Sequence, residues 1–165
     1  MDINKLNDVF YADNEKGVVI FKSDYKRRKK GEVISSLSGE GKYKLIRFEG
    51  ELISLHRLIW ILNKGYIPSD HVIDHINGDC RDNRLANLRV CTHAENMRNR
   101  KINANNSCGY KGVYFDDSKG ARNKWRAQIR VSGSKINLGR YSSPEEAHGA
   151  YKKAALLHFG EYAKY

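Results

Sequence analysis

Between residues 72 and 99, four polar side chains of distinct chemistry fall at spacings that one small structural unit could bring together: Asp74, His75, Asn87 and Asn96. A carboxylate, an imidazole and two carboxamides at one place can take a proton and offer oxygens to a hard cation. The surrounding pattern is the reason to expect them to meet. Apolar Val72 and Ile73 run into Asp74-His75, and Asn77-Gly78-Asp79 is turn chemistry, which predicts a strand followed by a polar loop to Asn87. Leu88 to Val90 is then a second short strand. Thr92 with Glu95 three residues on is a capping box, so a helix starts near His93 and carries Asn96 about one turn inside it. Neighbours in a regular strand face opposite ways, so Asp74 and His75 can serve one site only at a strand end or a bulge.

With LHRLIW at 55–60, DHINGDCRDNRLANLRV at 74–90 and THAEN at 92–96, this stretch resembles the HNH (ββα-metal) nuclease family, in particular the phage and intron-encoded HNH homing endonucleases. The resemblance covers about residues 50 to 100. It implies His75 as general base, Asp74 as a metal ligand, and Asn96 as the second ligand, where many relatives have histidine. It also implies that Asn87 braces the loop through backbone hydrogen bonds and so orients His75. One divalent ion, Mg2+ or Mn2+, is the implied cofactor. Two side-chain oxygens completed by water and substrate phosphate suit magnesium, and asparagine at 96 speaks against tight binding of a soft transition metal. A neutral imidazole can take the proton of water attacking in line. Because an ordinary imidazole titrates near ~6.5, activity should rise from about pH 6 to about pH 8. Homing is implied by the resemblance alone.

The elements that must position these residues lie in a chain of 165 residues, one ordinary domain or two small ones. Its formal charge is +11 with pI near 9.6, which calls for a polyanionic partner, and its 40% hydrophobic content allows modest cores. Residues 104–165 carry a net +6 against +5 for residues 1–103, so the shorter segment is the more basic per residue. Cys80, Cys91 and Cys108 form no C-x-x-C pair and are odd in number, which argues against a zinc ribbon or disulfide partner and for a reducing cytosol. No apolar run reaches membrane length and the start has no signal-peptide pattern, so no membrane partner is expected and the location is cytoplasmic, in a host cell if phage-encoded.

In chain order, a possible short helix lies within residues 1–17, and strands are expected at Gly17–Phe21, Glu32–Leu37 and Tyr43–Phe48. The basic run Lys26 to Lys30 is a solvated hairpin tip or a phosphate contact. Leu55, Leu58, Ile59 and Leu62 have helical spacing, with His56 and Arg57 off the apolar stripe and Gly65 and Pro68 as terminators. Residues 96–104 continue as helix or linker, and 105–109 is a composition break.

Beyond it, Tyr110–Phe115 is a strand. Trp125–Val131 alternates, with Trp125, Ala127, Ile129 and Val131 on one face and Arg126, Gln128 and Arg130 on the other. Ser132-Gly133-Ser134 turns into a third strand, Lys135–Tyr141. Ser143-Pro144-Glu145-Glu146 caps a helix whose inner face is Ala147, Ala150, Tyr151, Ala154 and Leu157 or His158. GYKGVYF, WRAQIRV, INLGRYSSPEEAHGAYKKAA and FGEYA make this segment similar to the plant ethylene-response-factor (APETALA-two) DNA-binding domain. By position, the resemblance implies DNA contact by Lys111, Tyr114, Arg130, Lys135 and Asn137. Arg126 adds charge to the same strand and Arg122 lies in the preceding turn. Tyr114 and Asn137 replace the plant arginine and tryptophan, so target sequence is not inherited.

The expectation is therefore an α+β protein: residues 1–104 a β-rich HNH nuclease with its core at about 70–100, and residues 109–165 a three-stranded sheet with one helix that holds double-stranded DNA. The competing readings are a non-catalytic DNA-binding regulator on a degenerate nuclease scaffold, and a restriction nuclease acting on modified DNA.

Overall fold

The computed structural model describes residues 2–34, 43–98, 106, 108–120 and 122–165, the side chain of Arg98 excepted. The chain divides into two compact units, 1–93 and 94–165. The expected continuation through 99–104 lies outside the described residues, as do Asn105, Ser107 and the second half of the expected strand 32–37.

The first unit is a set of two-stranded antiparallel hairpins around one helix. Helix α1 (Ile3–Val9) is capped by Asp2, whose side chain accepts from the Asn4 amide. It leads into β1 (Phe10–Asp13) and β2 (Val18–Phe21), then β3 (Leu45–Phe48) and β4 (Glu51–Ser54). Residues 31–34 pair with the outer edge of β2 through Ile34 N–H to the Val19 carbonyl, 2.8 Å, and Phe21 N–H to the Glu32 carbonyl, 3.0 Å. The basic tip between them carries its own counter-charges: Lys29 pairs with Asp24 at 2.8 Å and Arg28 with Glu32 at 2.5 Å.

Helix α2 (Leu55–Lys64) crosses the unit because its apolar residues recur on one face; Leu58 and Ile59 are completely buried, each worth about 1.5–3 kcal/mol. Phe10 meets the rings of Phe21 and Phe48 at 5.3 and 5.2 Å beneath it. Gly65, at φ 78°, ends the helix. His56 departs from the expected placement. It is 7% exposed, one turn before Ile59 on the core side. The last hairpin is β5 (His71–His75) with β6 (Leu88–Thr92), paired in unbroken register, and α3 (His93–Arg98) follows at once.

In the second unit β7 (Val113–Phe115), β8 (Trp125–Val131) and β9 (Ser134–Tyr141) form one antiparallel sheet in chain order, covered on one face by α4 (Pro144–Phe159). The expected alternation of β8 is present: Ala127 and Ile129 are buried under the helix. Ser143 accepts the Glu146 amide at 3.2 Å, and the Glu146 carboxylate reaches back to the Ser142 hydroxyl at 2.7 Å. The inner face of α4 is Ala147, Tyr151 and Ala155; Leu157, which the helical period could also have turned inward, is 82% exposed, and His158 is exposed. Gly112 lets Tyr151 close on the sheet. A Cβ there would lie 2.2 Å from the Tyr151 ring, and the φ of 73° suits glycine. Among the described residues no helix is long and apolar enough to cross a membrane.

Candidate active site and nucleic-acid face

β5 delivers Asp74 and His75 at its C-terminal end, where the chain leaves the ladder. His75 is the last strand residue, its carbonyl accepts the Gly78 amide at 2.8 Å, and the Ile76 amide donates to the Asn87 carbonyl at 2.8 Å. The pair thus stands at a strand end with no bulge. Both side chains are buried, at 7% and 5% exposure, which polar groups tolerate only when they are hydrogen-bonded. Asp74 meets this demand across the hairpin. Its Oδ2 accepts from Arg89 Nη2 at 2.9 Å and Nε at 3.1 Å, because the register sets Arg89 directly opposite. The carboxylate and guanidinium are nearly dry, with side chains 8% and 12% exposed.

His75 meets it through the loop: its Nε2 is 3.0 Å from Asn83 Oδ1. The His56 ring stands edge-on to the His75 ring at 5.1 Å, and the Tyr43 ring lies stacked at 6.2 Å. Ser54, at the N-cap position of α2, makes no side-chain cap bond, and its hydroxyl lies 3.4 Å from His56 Nε2. Burial first, then the neighbouring His75 and Arg57, push the His56 pKa down to about 4, so this ring is neutral near pH 7.

Asn87 closes the loop. Its Nδ2 donates to the Asp82 carbonyl at 2.7 Å and to Asn77 Oδ1 at 3.1 Å, and its Oδ1 accepts the Asn77 amide at 3.0 Å. Asp82 in turn receives Asn77 Nδ2 at 2.9 Å and the Arg84 guanidinium at 2.7 Å; the Arg84 bonds foremost hold its pKa at about 2. Asn96 lies half-buried on α3, in the stretch that belongs to the second unit.

Asn83, Arg89 and His56 were not singled out for this site by sequence. Arg89 had a signal, since a hairpin pairing Val72 with Cys91 puts 89 opposite 74. Asn83 had none, being one amide among several in a polar loop.

On the second unit, the pairings Tyr114–Arg126, Arg126–Arg140, Gln128–Asn137 and Arg130–Lys135 run across the sheet face opposite α4. Five of the seven residues expected to touch DNA therefore share one face: Tyr114, Arg126, Arg130, Lys135 and Asn137. Arg122 is exposed on the loop before β8. Lys111 stands apart. It is half-buried with Ile129 and Tyr151 in a hollow under α4, and burial, then Lys164, lower its pKa. Arg140 joins the face without having been expected there, oriented by Asp116 at 2.5 Å and Ser118 at 3.2 Å.

A family model described as HNH endonuclease matches residues 54–98. Protein 3.8 of Escherichia phage T7 is 30% identical over 110 residues, which is 67% of this chain and 88% of that protein. An uncharacterized HNH endonuclease of Acanthamoeba polyphaga mimivirus is 31% identical over 112 residues, 67% of this chain but only 56% of its own length. An ethylene-responsive transcription factor-like protein of Arabidopsis thaliana is 35% identical over 60 residues, covering 36% of this chain and 24% of that one. Among solved structures, the HNH homing endonuclease I-HmuI is similar with a TM-score of 0.45 and 24% identity, over 60% of this chain and 55% of that one. With the phage protein matched along most of its length, and the family model running from α2 through His75 to α3, the chain belongs to the HNH endonuclease family.

Proposed function

We propose that the chain is a divalent-metal-dependent endonuclease that hydrolyses phosphodiester bonds of double-stranded DNA in the cytoplasm of the cell that makes it. In this reading the HNH stretch, residues 54–98, cuts, and the ethylene-response-factor-like sheet of the second unit holds the duplex. The observation that carries it is the buried pair at the end of β5, a carboxylate and an imidazole fixed by Arg89 and Asn83 beside a loop closed by Asn87.

The donor set fits a hard cation. The dry carboxylate at 74 suits an ion that keeps water and takes a substrate phosphate, and the amide oxygen of Asn96 is the second ligand that the resemblance implies. Held by Asp74 and Asn96, Mg2+ or Mn2+ would offset charge on the phosphoryl and leaving oxygens. His75 accepts the proton of the attacking water through a lone-pair nitrogen of its imidazole. Asn87 keeps residues 77–82 folded back on the strand end, so the imidazole does not have to be ordered during the reaction. On the sheet, Arg126, Arg130, Lys135 and Arg140 supply charge for phosphates or guanine edges, and Tyr114 and Asn137 supply neutral contacts.

Incubating plasmid with the protein and Mg2+ tests the reading. Cleavage should fall by about 100-fold or more in His75→Ala while the affinity for DNA stays within about twofold. Binding without cleavage under any divalent cation would leave the non-catalytic regulator instead.

A further inference from the structure

We propose that Arg140, held by Asp116 and Ser118, is a specificity-determining residue: on the sheet face opposite α4 it reads a guanine edge in the major groove, while Arg130 and Lys135 hold phosphates. The inference rests on the reading of that sheet as the surface that holds the duplex; the geometry of the three residues does not. Arg140 reaches this face because β9 is irregular. Lys135 and Asn137 lie on it, and strict alternation would next bring Gly139 to it and turn Arg140 toward α4. The register instead pairs Asn137 with Gln128 and Gly139 with Ala127, so Leu138 is an extra residue, half-buried against the core. Such a bulge re-aims the side chains that follow it, and Gly139 takes up the distorted backbone at φ 114°. Arg140 therefore stands opposite Arg126 on the outer face.

Once there, the guanidinium is held in one direction. Its Nη2 donates to Asp116 Oδ2 at 2.5 Å and to Ser118 Oγ at 3.2 Å. The acceptor is itself anchored: the Asp116 amide donates to the Lys124 carbonyl at 2.8 Å, and its Oδ1 accepts the Ser118 amide at 3.1 Å and the Ser118 hydroxyl. These Ser118 bonds foremost, then the charges of Arg140 and Arg126, hold the Asp116 carboxyl below the usual carboxylate range, so it is ionised near pH 7. The bonds occupy Nη2; Nη1 and Nε carry further N–H groups for a ligand. A phosphate contact needs net positive charge and no particular direction, whereas a guanine edge must be met by donors at set positions. Arg140 has its charge offset and its direction fixed. Arg130 and Lys135 are exposed and lie opposite each other, which concentrates charge without orienting it. A carboxylate on a surface for a polyanion repels its partner, and the orientation of Arg140 is what Asp116 supplies in return.

Selecting duplexes from a randomised pool with the full-length protein, in EDTA so that no cleavage intervenes, reads the preference base by base. Wild type should favour guanine at one position. Arg140→Ala should flatten that position by about tenfold or more and leave the ranking at the others intact. Arg140→Lys, which keeps the charge and loses the planar fork, should flatten it as far. Asp116→Asn should flatten the same position, while affinity for unrelated duplex DNA rises because a negative charge has left the face. Thermal midpoints confirm the fold of each variant. A uniform loss of affinity in Arg140→Ala with the base ranking unchanged overturns the inference, since a phosphate contact behaves that way. So does a guanine preference that survives in Arg140→Lys, or a wild type that binds every duplex alike. The reading of the sheet fails by a different result: Arg130→Ala with Lys135→Ala leaving both affinity and its salt dependence unchanged.

Discussion

The polar residues of the two units live under opposite physical conditions. At the end of β5, Asp74, His75, Asn83 and Asn87 are all buried, and each has a partner at hydrogen-bond distance. On the β7–β9 sheet, Arg130, Lys135 and Asn137 are exposed, and five candidate DNA-facing residues owe their common face to register alone. A buried group has one geometry enforced by the penalty for leaving it unpaired; an exposed cation keeps its rotamers and its water. Chemistry at one atom needs the first condition. Holding a long polyanion needs the second. Substitutions should therefore cost folding and turnover in the first unit, and salt-dependent affinity in the second.

The largest effect on folding should come from Arg89→Met. It takes the guanidinium away from the Asp74 carboxylate in a dry site and should destabilise the protein by about 3–5 kcal/mol, read from the urea midpoint. Acid should follow. The His56 pKa is lowered from 6.5 to about 4 on folding, so the unfolded chain binds the proton more readily between those values. Stability from this group is complete above about pH 6.5 and lost as the pH falls through about 4, by on the order of 3 kcal/mol. Urea titrations across that window should show a flatter profile in His56→Phe than in wild type. Asn87→Ala should cost about 1–3 kcal/mol, since the Asp82 carbonyl and the Asn77 amide both lose a partner. Smallest in stability, within about 0.5 kcal/mol, should be Arg130→Ala with Lys135→Ala. This pair should nonetheless make the slope of log affinity against log salt shallower by roughly 0.9 for each phosphate that the protein ceases to neutralise. A large stability loss there, or an unchanged slope, would erase the contrast between the units.

Much of the framework was legible because it is local. Helix α2 was readable from Leu55, Leu58, Ile59 and Leu62, the cap of α4 from Ser143 to Glu146, and the two faces of β8 from its alternation. Each depends on residues within a turn or two of one another, where periodicity and capping act. The α+β class follows from these elements. His56 was misplaced because a stripe drawn from apolar residues leaves out an imidazole that is buried against another imidazole far along the chain. The strand expected at 32–37 is, in its described half, an edge pairing at Ile20–Val33, since strand existence depends on a neighbour that composition does not name.

By itself, the sequence determined the chemical inventory: which side chains could move a proton or hold a cation, which runs fold into strands and helices, and how much positive charge each half carries. Only the tertiary structure decided who faces whom. Hairpin register set Arg89 on Asp74 and Arg140 beside Arg126, and the approach of Gly17 to the 83–84 backbone fixed Asn83 beneath His75. The physical reason is range. Propensity, capping and periodicity act over a few residues, whereas a hydrogen bond or ring contact joins any two groups that packing brings within a few ångströms, and nothing in their spacing along the chain announces it.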